Sequence, residues 1–374
     1  MRILFISECY PDESKTQYGI FIRQQEEALQ RLGHSVDVLV PECTGKNSAM
    51  QKNDNVYRIT YKTVRYDVFP LLAAGSVYHS IDALIEKNQY DLVAVHIVGD
   101  GILKMAVKAC NRHQVPVVVH YHGLNVWEEY VSKHPHRQKL YADRRFRILQ
   151  HAQGIVGVSN KVCDIIKQRI KGIPVATVYN GVEPELFVKR TRDDSCFRVI
   201  GVGNLIEIKG FHILLDAFFQ LHKEFPETHL DIVGDGVQRD ALQAQVKSLG
   251  MVDAVTFYGK LPYDRVAEMM GQSDLFVLPS FYEALGCVYL EAMCSELPTV
   301  GVRGMGIDEI IVDGENGLLV DPKNSEQLYH KMSAVVKDAD FAATLGQKGK
   351  ETAQKFTWAA SANSLIAFYQ ECMK

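Results

Sequence analysis

The sequence predicts an α/β protein made of two βα domains of similar size, each built on a mostly parallel sheet. Three observations carry that reading. Short β-branched runs alternate with longer stretches of helical period along the whole chain. The 374 residues exceed a typical single core, and at about 150 residues per domain they divide into two or three. Residues 180–195, with Gly181, Pro184 and the charged run Lys189–Asp194, follow neither period and read as a linker.

Taken in order, the strand candidates of the first half are Arg2–Ile6, Ser35–Val40, Val56–Thr60, Leu92–Ile97, Val115–His120, Gly154–Val158 and Ala176–Tyr179. Between the first two, Phe21, Gln24, Gln25, Ala28 and Leu29 recur at helical spacing, and Gly33 stops the helix. The second half repeats the scheme, with strands expected at Phe197–Val202, His229–Val233, Ala254–Phe257, Leu275–Leu278, Thr299–Val302 and Gly317–Val320. A final amphipathic helix starts at a Thr N-cap, Thr357, and either packs on the second domain or crosses back to the first.

Bulk properties narrow the function. With 47% apolar and 23% charged residues the composition is that of an ordinary soluble protein, and a net charge of -4 makes no case for a nucleic-acid partner. The eight cysteines show no CxxC pair and no zinc spacing, which fits a reducing compartment. Met1–Glu8 reads as a first strand, because a secretory signal needs a longer apolar core and a small-residue cleavage site. No run approaches the ~18–20 apolar residues of a membrane span. The expected location is the cytoplasm.

Two loops hold unusual residues. In Val199–Phe218, Gly201 and Gly203 end a strand and Lys209-Gly210 opens a helix. Backbone amides, a helix dipole and a lysine together invite an anion, although the same residues also fit a tight turn with a surface lysine. The spacing matches neither a P-loop nor the dinucleotide fingerprint. In Pro279–Met293, Glu283 precedes a helix and Glu291 lies inside it. At about 100° per residue the step between them leaves roughly 80°, so they do not share a helix face. Carboxylates accept hydrogen bonds from sugar or ribose hydroxyls. They also cap helices or face solvent, and an acid/base pair is a third reading. Loops after strands that flank a topological switch point are neighbours, so the lysine and the carboxylates suit the phosphate and hydroxyls of a nucleotide sugar.

These segments resemble a known family. The glycine–lysine turn, VGDG at Val233–Gly236, PSFYEALG from Pro279, EAM at Glu291–Met293 and DEIIVDGENGLLV from Asp308 are similar to the second domain of retaining family 4 glycosyltransferases with the GT-B fold. In the first half, GIFIRQQ at Gly19–Gln25, GHSV at Gly33–Val36, His122-Gly123, VSN at Val158–Asn160 and YNGVEPELF at Tyr179–Phe187 resemble the same family, and FTW at Phe356–Trp358 resembles the start of its returning helix.

The resemblance implies two Rossmann-like domains facing each other across a cleft. The first would bind the acceptor and span 1–185, joined by the crossing helix 357–374; the second, 186–356, would bind the donor. It implies transfer of a hexose-type sugar from a UDP or GDP sugar, with retention, to a glycan or lipid-linked acceptor in cell-surface polysaccharide synthesis. Donor-binding residues would be Gly19, Gly203, Asn204, Lys209, Glu283, Gly286, Cys287, Val288 and Glu291. His122, Glu283 and Lys209 would carry catalysis, with Lys209 on the diphosphate, Glu283 and His122 at the sugar and Glu291 on the ribose. His96, Asp100 and Asn125 are acceptor-side candidates. Asn204 stands where many members carry an arginine, which leaves more of the diphosphate charge to Lys209. No metal constellation of the kind expected of metal-dependent transferases stands out, so no metal or other cofactor is expected.

One surface stretch stands apart. Residues 133–147 hold six Lys/Arg against Asp143. They read as a solvated face, or as a docking surface for anionic lipid at the inner face of the membrane. Two other functions share the architecture: an epimerase or hydrolase acting on the nucleotide sugar without an acceptor, and a non-catalytic two-domain sugar-binding protein.

Overall fold

A computed structural model describes residues 1–12, 18–44, 49–61, 75–124, 138–189 and 196–374. Contacts divide the chain into two units, Met1–Tyr179 with Trp358–Lys374, and Asn180–Thr357. The division falls earlier than residue 185. The reason is local: Val182 donates its amide to Phe356 O at 2.9 Å and bridges to Thr357, so the stretch after Tyr179 belongs to the second unit.

Among the described residues the first unit carries eight strands: β1 Arg2–Ile6, β2 Ser35–Cys43, β3 Gln51–Asn53, β4 Val56–Tyr61, β5 Leu92–Val95, β6 Val117–Tyr121, β7 Gly154–Gly157 and β8 Val175–Thr177. They lie in the order β3-β4-β2-β1-β5-β6-β7-β8. Every pairing is parallel except β3 on β4. Central strands such as β5 are buried along their length, as expected of a sheet covered on both faces. The helices are α1 Ile20–Arg31, α2 Gly75–Asn88, α3 Asp100–His113, α4 Gln138–Leu149, α5 Asn160–Lys167 and, from the far end of the sequence, α12 Trp358–Cys372.

Helix α12 sends Trp358, Ala362, Leu365, Phe368 and Tyr369 into the same core as Ile3, Phe5, Ile22 and Leu29. It packs beside α1, so residues 358–372 complete the apolar cover of the first sheet.

The second unit carries β9 Phe197–Val202, β10 Thr228–Val233, β11 Val255–Gly259, β12 Leu275–Val277, β13 Thr299–Val302 and β14 Leu318–Val320. All are parallel, in the order β11-β10-β9-β12-β13-β14. Around them lie α6 Phe211–Glu224, α7 Arg239–Ser248, α8 Tyr263–Gly271, α9 Cys287–Cys294, α10 Ser325–Lys337 and α11 Ala339–Ala353.

In each unit the chain leaves a central strand to one side and later returns to the other. The switch lies between β1 and β5 in the first unit and between β9 and β12 in the second. Ligands of such sheets bind outside the strand ends at the switch point. The loops after these four strands are therefore where the chemistry should lie.

Candidate functional site

In the second unit the loops after β9 and β12 are bonded together. Phe281 donates its amide to Ile208 O at 3.0 Å, and Ser280 Oγ reaches the same carbonyl at 3.2 Å. Lys209 ends a short 3-10 turn, Glu207–Lys209, directly before α6. Its Nζ donates to Glu283 Oε2, and the two side chains are 18% and 14% exposed. This pair is sheltered but reachable from solvent.

Gly286 sits before α9 at φ 80°, and a Cβ there would meet the Tyr289 ring at 2.6 Å. Only glycine fits the turn that aims the loop into the helix. Tyr289 in turn donates to Leu278 O at 2.7 Å, which ties α9 to the end of β12. The first amides of an α-helix have no intrahelical acceptor, so the start of α9 at Cys287 and Val288 offers donors to an anion. Cys287 is buried enough that its thiol is pushed up to about 12, and Asn180 Nδ2 lies 3.5 Å from its sulfur.

Glu291 lies within α9, and its side-chain partner is Tyr263. Burial pushes its carboxyl up to about 7, while Tyr263 Oη, donating at 2.9 Å, pulls the other way. Asn204 is exposed just past β9. The Gly203 amide is already donated to Val233 O at 3.0 Å, so this residue offers backbone shape rather than a hydrogen bond.

The first unit holds Gly19, His96, Asp100 and His122. Gly19 caps α1 at φ 75°, where a Cβ would lie 2.5 Å from Cys9 O. That close backbone approach joins the loop after β1 to the helix start. His96 follows β5, and His122 follows β6. His96 Nδ1 and His122 Nε2 are 3.1 Å apart. His120, within β6, completes a group of three whose ligand atoms all lie within 4.8 Å of one another. Tyr369 of α12 hydrogen-bonds His120 Nε2 at 2.8 Å. Burial, joined by the neighbouring rings, holds His96 and His120 well below the usual histidine range; burial brings His122 down to about 4.

A cavity of about 300 Å³ opens beside these rings, lined also by Phe21, Leu103 and Arg145. Arg145 corrects the picture of a solvated basic face: it is buried, and its Nε donates to Asp100 at 2.6 Å. Asp100 is therefore a structural ion-pair partner at the start of α3 before it is anything else. Asn125 and residues 133–137 lie outside the described residues.

Sequence reasoning missed three residues of this region. His120 is one; an H-x-H at a strand end, facing a histidine at the end of the neighbouring strand, was the available signal. Arg145 and Glu8 are the others. Glu8 accepts from Gly99 N and from Tyr61 Oη, both at 2.6 Å, binding the loop after β1 to the start of α3.

The chain is similar to proteins of known family. Residues 19–186 match the family model Glycosyltransferase Family 4, and residues 182–352 match Glycosyl transferases group 1. N-acetyl-alpha-D-glucosaminyl L-malate synthase of Bacillus anthracis is 24% identical, over 94% of this chain and 92% of its own length. A lipopolysaccharide core biosynthesis glycosyltransferase of Rhizobium meliloti is 32% identical over 52% of this chain and 56% of its own. Among solved structures, sucrose-phosphate synthase from Thermosynechococcus elongatus superposes with a TM-score of 0.81 at 22% identity, covering 99% of this chain and 98% of that one. Anabaena HepE in complex with UDP-glucose gives 0.76 at 21%, covering 99% and 100%.

Proposed function

Because the chain belongs to the glycosyltransferases of the GT-B fold, we propose that it moves a hexose-type sugar from a nucleoside diphosphate sugar to a hydroxyl acceptor, with retention at the anomeric carbon. The observation that carries this reading is the Lys209–Glu283 pair, set between two switch-point loops at the N-terminus of α9. A diphosphate there meets one full cation and a row of helix amides. UDP is the favoured nucleotide, because HepE is solved with UDP-glucose. The acceptor we favour is a glycan or lipid-linked glycan of a cell-surface polysaccharide, in keeping with the lipopolysaccharide-core relative.

In the reaction the bond from the anomeric carbon to the diphosphate breaks, and the electron pair leaves with the phosphate oxygen. The acceptor oxygen bonds to the same face of the sugar, and its proton passes to the departing diphosphate. Lys209 and the α9 amides stabilise the charge that grows on the leaving group. Glu283 turns from Lys209 to the sugar hydroxyls, and Glu291 accepts from the ribose. Gly19 lets the backbone approach the donor, and His122 acts as a hydrogen-bonding group at the sugar. Cationic side chain and helix dipole here take the part a divalent ion plays in metal-dependent transferases.

A thermal-shift series with UDP, GDP and ADP tests the donor, since a ligand of the native state raises the melting temperature. We expect a shift with UDP that is lost in Lys209→Ala. No shift with any of the three removes the nucleotide-sugar reading. The anomeric proton coupling of the product then reports retention or inversion.

A further inference from the structure

The pairing of β5 with β6 gathers three imidazoles that the sequence scatters. His120 and His122 are two residues apart at the end of β6, so the strand's alternation puts them on one face. Val95 pairs with Val119, which brings the next residues, His96 and His120, side by side. The 3.1 Å between His96 Nδ1 and His122 Nε2 is close to the roughly 3.3 Å that two imidazole nitrogens adopt on one tetrahedral zinc. Of the nitrogens that would face an ion, His120 Nδ1 is buried without a protein partner, and His96 Nδ1 and His122 Nε2 have only each other. Tyr369 Oη holds His120 Nε2 at 2.8 Å; in the tautomer that donates Nε2–H to this oxygen, Nδ1 carries the lone pair, and a hydrogen bond of this kind orients metal-binding histidines.

The surroundings favour a soft, nitrogen-seeking cation. His96 and His120 are buried, and ligation takes the neutral ring. The cavity beside them leaves room for a water or a small exogenous ligand. Arg145 lines the same cavity, but Asp100 matches its charge at 2.6 Å. A donor set of nitrogens without oxygens selects against Mg2+ and Ca2+.

We propose that His96, His120 and His122 form a three-imidazole binding site for a divalent cation of the Zn2+, Co2+ and Ni2+ class, with the cavity supplying its open position. The ion takes the ring of His122. Under the sugar-transfer reading, on which only this clause rests, its occupancy inhibits the enzyme instead of serving as its cofactor.

Titration of the chelator-treated full chain with Co2+ at neutral pH tests the site without any substrate. The expected result is a saturable visible absorption of the Co2+ ion, displaced by Zn2+ and free of the near-ultraviolet band of a thiolate ligand. His120→Gln, checked for native circular dichroism, should weaken binding by at least about tenfold. For the unaltered chain, X-ray absorption at the zinc edge should count three imidazoles. The site is refuted by no saturable band, by a thiolate band, by undiminished binding in folded His120→Gln, or by fewer than three imidazoles. Turnover is read separately: if Zn2+ binds and transfer is untouched, the inhibitory clause fails while the site stands. If no nucleotide sugar supports transfer, the functional reading fails and the cobalt spectrum still decides the site.

Discussion

The two units place their notable side chains at the same topological position and give them opposite electrostatics. After β9 and β12 the second unit sets a lysine against a glutamate, both partly open to solvent. After β5 and β6 the first unit sets three imidazoles side by side, with His96 and His120 only 2% and 3% exposed and all three held neutral. One centre keeps its charges paired. The other keeps its nitrogens uncharged and short of partners. The switch point decides where a ligand binds, and the residues decide which kind, as expected where one fold hosts many chemistries.

The largest effect that sharpens this contrast is Lys209→Ala. It leaves Glu283 without its cation and, under the proposed function, the donor diphosphate without its full positive charge. A loss of about 10²–10³ in kcat/KM is expected, by analogy with removal of a single charge-stabilising donor. Turnover within tenfold of the unaltered chain would break the comparison, because the second unit's charge would then not read the donor.

The next test uses pH. The Glu291 carboxyl is raised to about 7 by burial. Between roughly pH 4.5 and 7 the folded chain keeps a proton that the unfolded chain has lost, so stability falls as pH rises through that window, by at most about 3 kcal/mol. Melting temperatures of Glu291→Gln should lack this slope. Identical slopes in both proteins would show that Glu291 is not the buried carboxyl it is taken for.

A third variant probes the first unit's scaffold. Gly19→Val places a Cβ 2.5 Å from Cys9 O at a φ of 75°, and a strained backbone of this kind costs about 1–3 kcal/mol. The melting temperature should drop, whereas an unchanged value would mean the loop after β1 relaxes freely. The smallest effect is expected from Tyr369→Phe, which removes the hydrogen bond to His120 and about 1 kcal/mol of stability. If that variant matches the unaltered chain in urea unfolding, His120 is held by packing alone.

Much of this was legible in the residues. The centres of thirteen strands were marked by β-branched runs, and Lys209, Glu283 and Glu291 stood out because strand ends are read directly from sequence. Strand β3 was missed because Gln51, Lys52 and Asn53 are polar and exposed, with no apolar alternation to betray them. The histidine group was missed for a different reason. His96 stood out only as a single strand-end residue, and its meeting with His120 depends on which strands are neighbours and in what register. Asp100 was legible as a carboxylate past a strand, but its partner Arg145 lies 45 residues further on, inside a run that reads as surface. Long-range pairing of this kind leaves no local period.

Helix α12 has a consequence for how the protein is made. A ribosome synthesises the β strands of the first unit early, then all of the second unit, and only then Trp358–Cys372. Until that segment emerges, Phe5, Ile22, Leu29 and the edge of His120 lack the cover that Leu365, Phe368 and Tyr369 provide. The unit that starts first is thus completed last, and the nascent chain must carry an open apolar face through the whole translation of its neighbour.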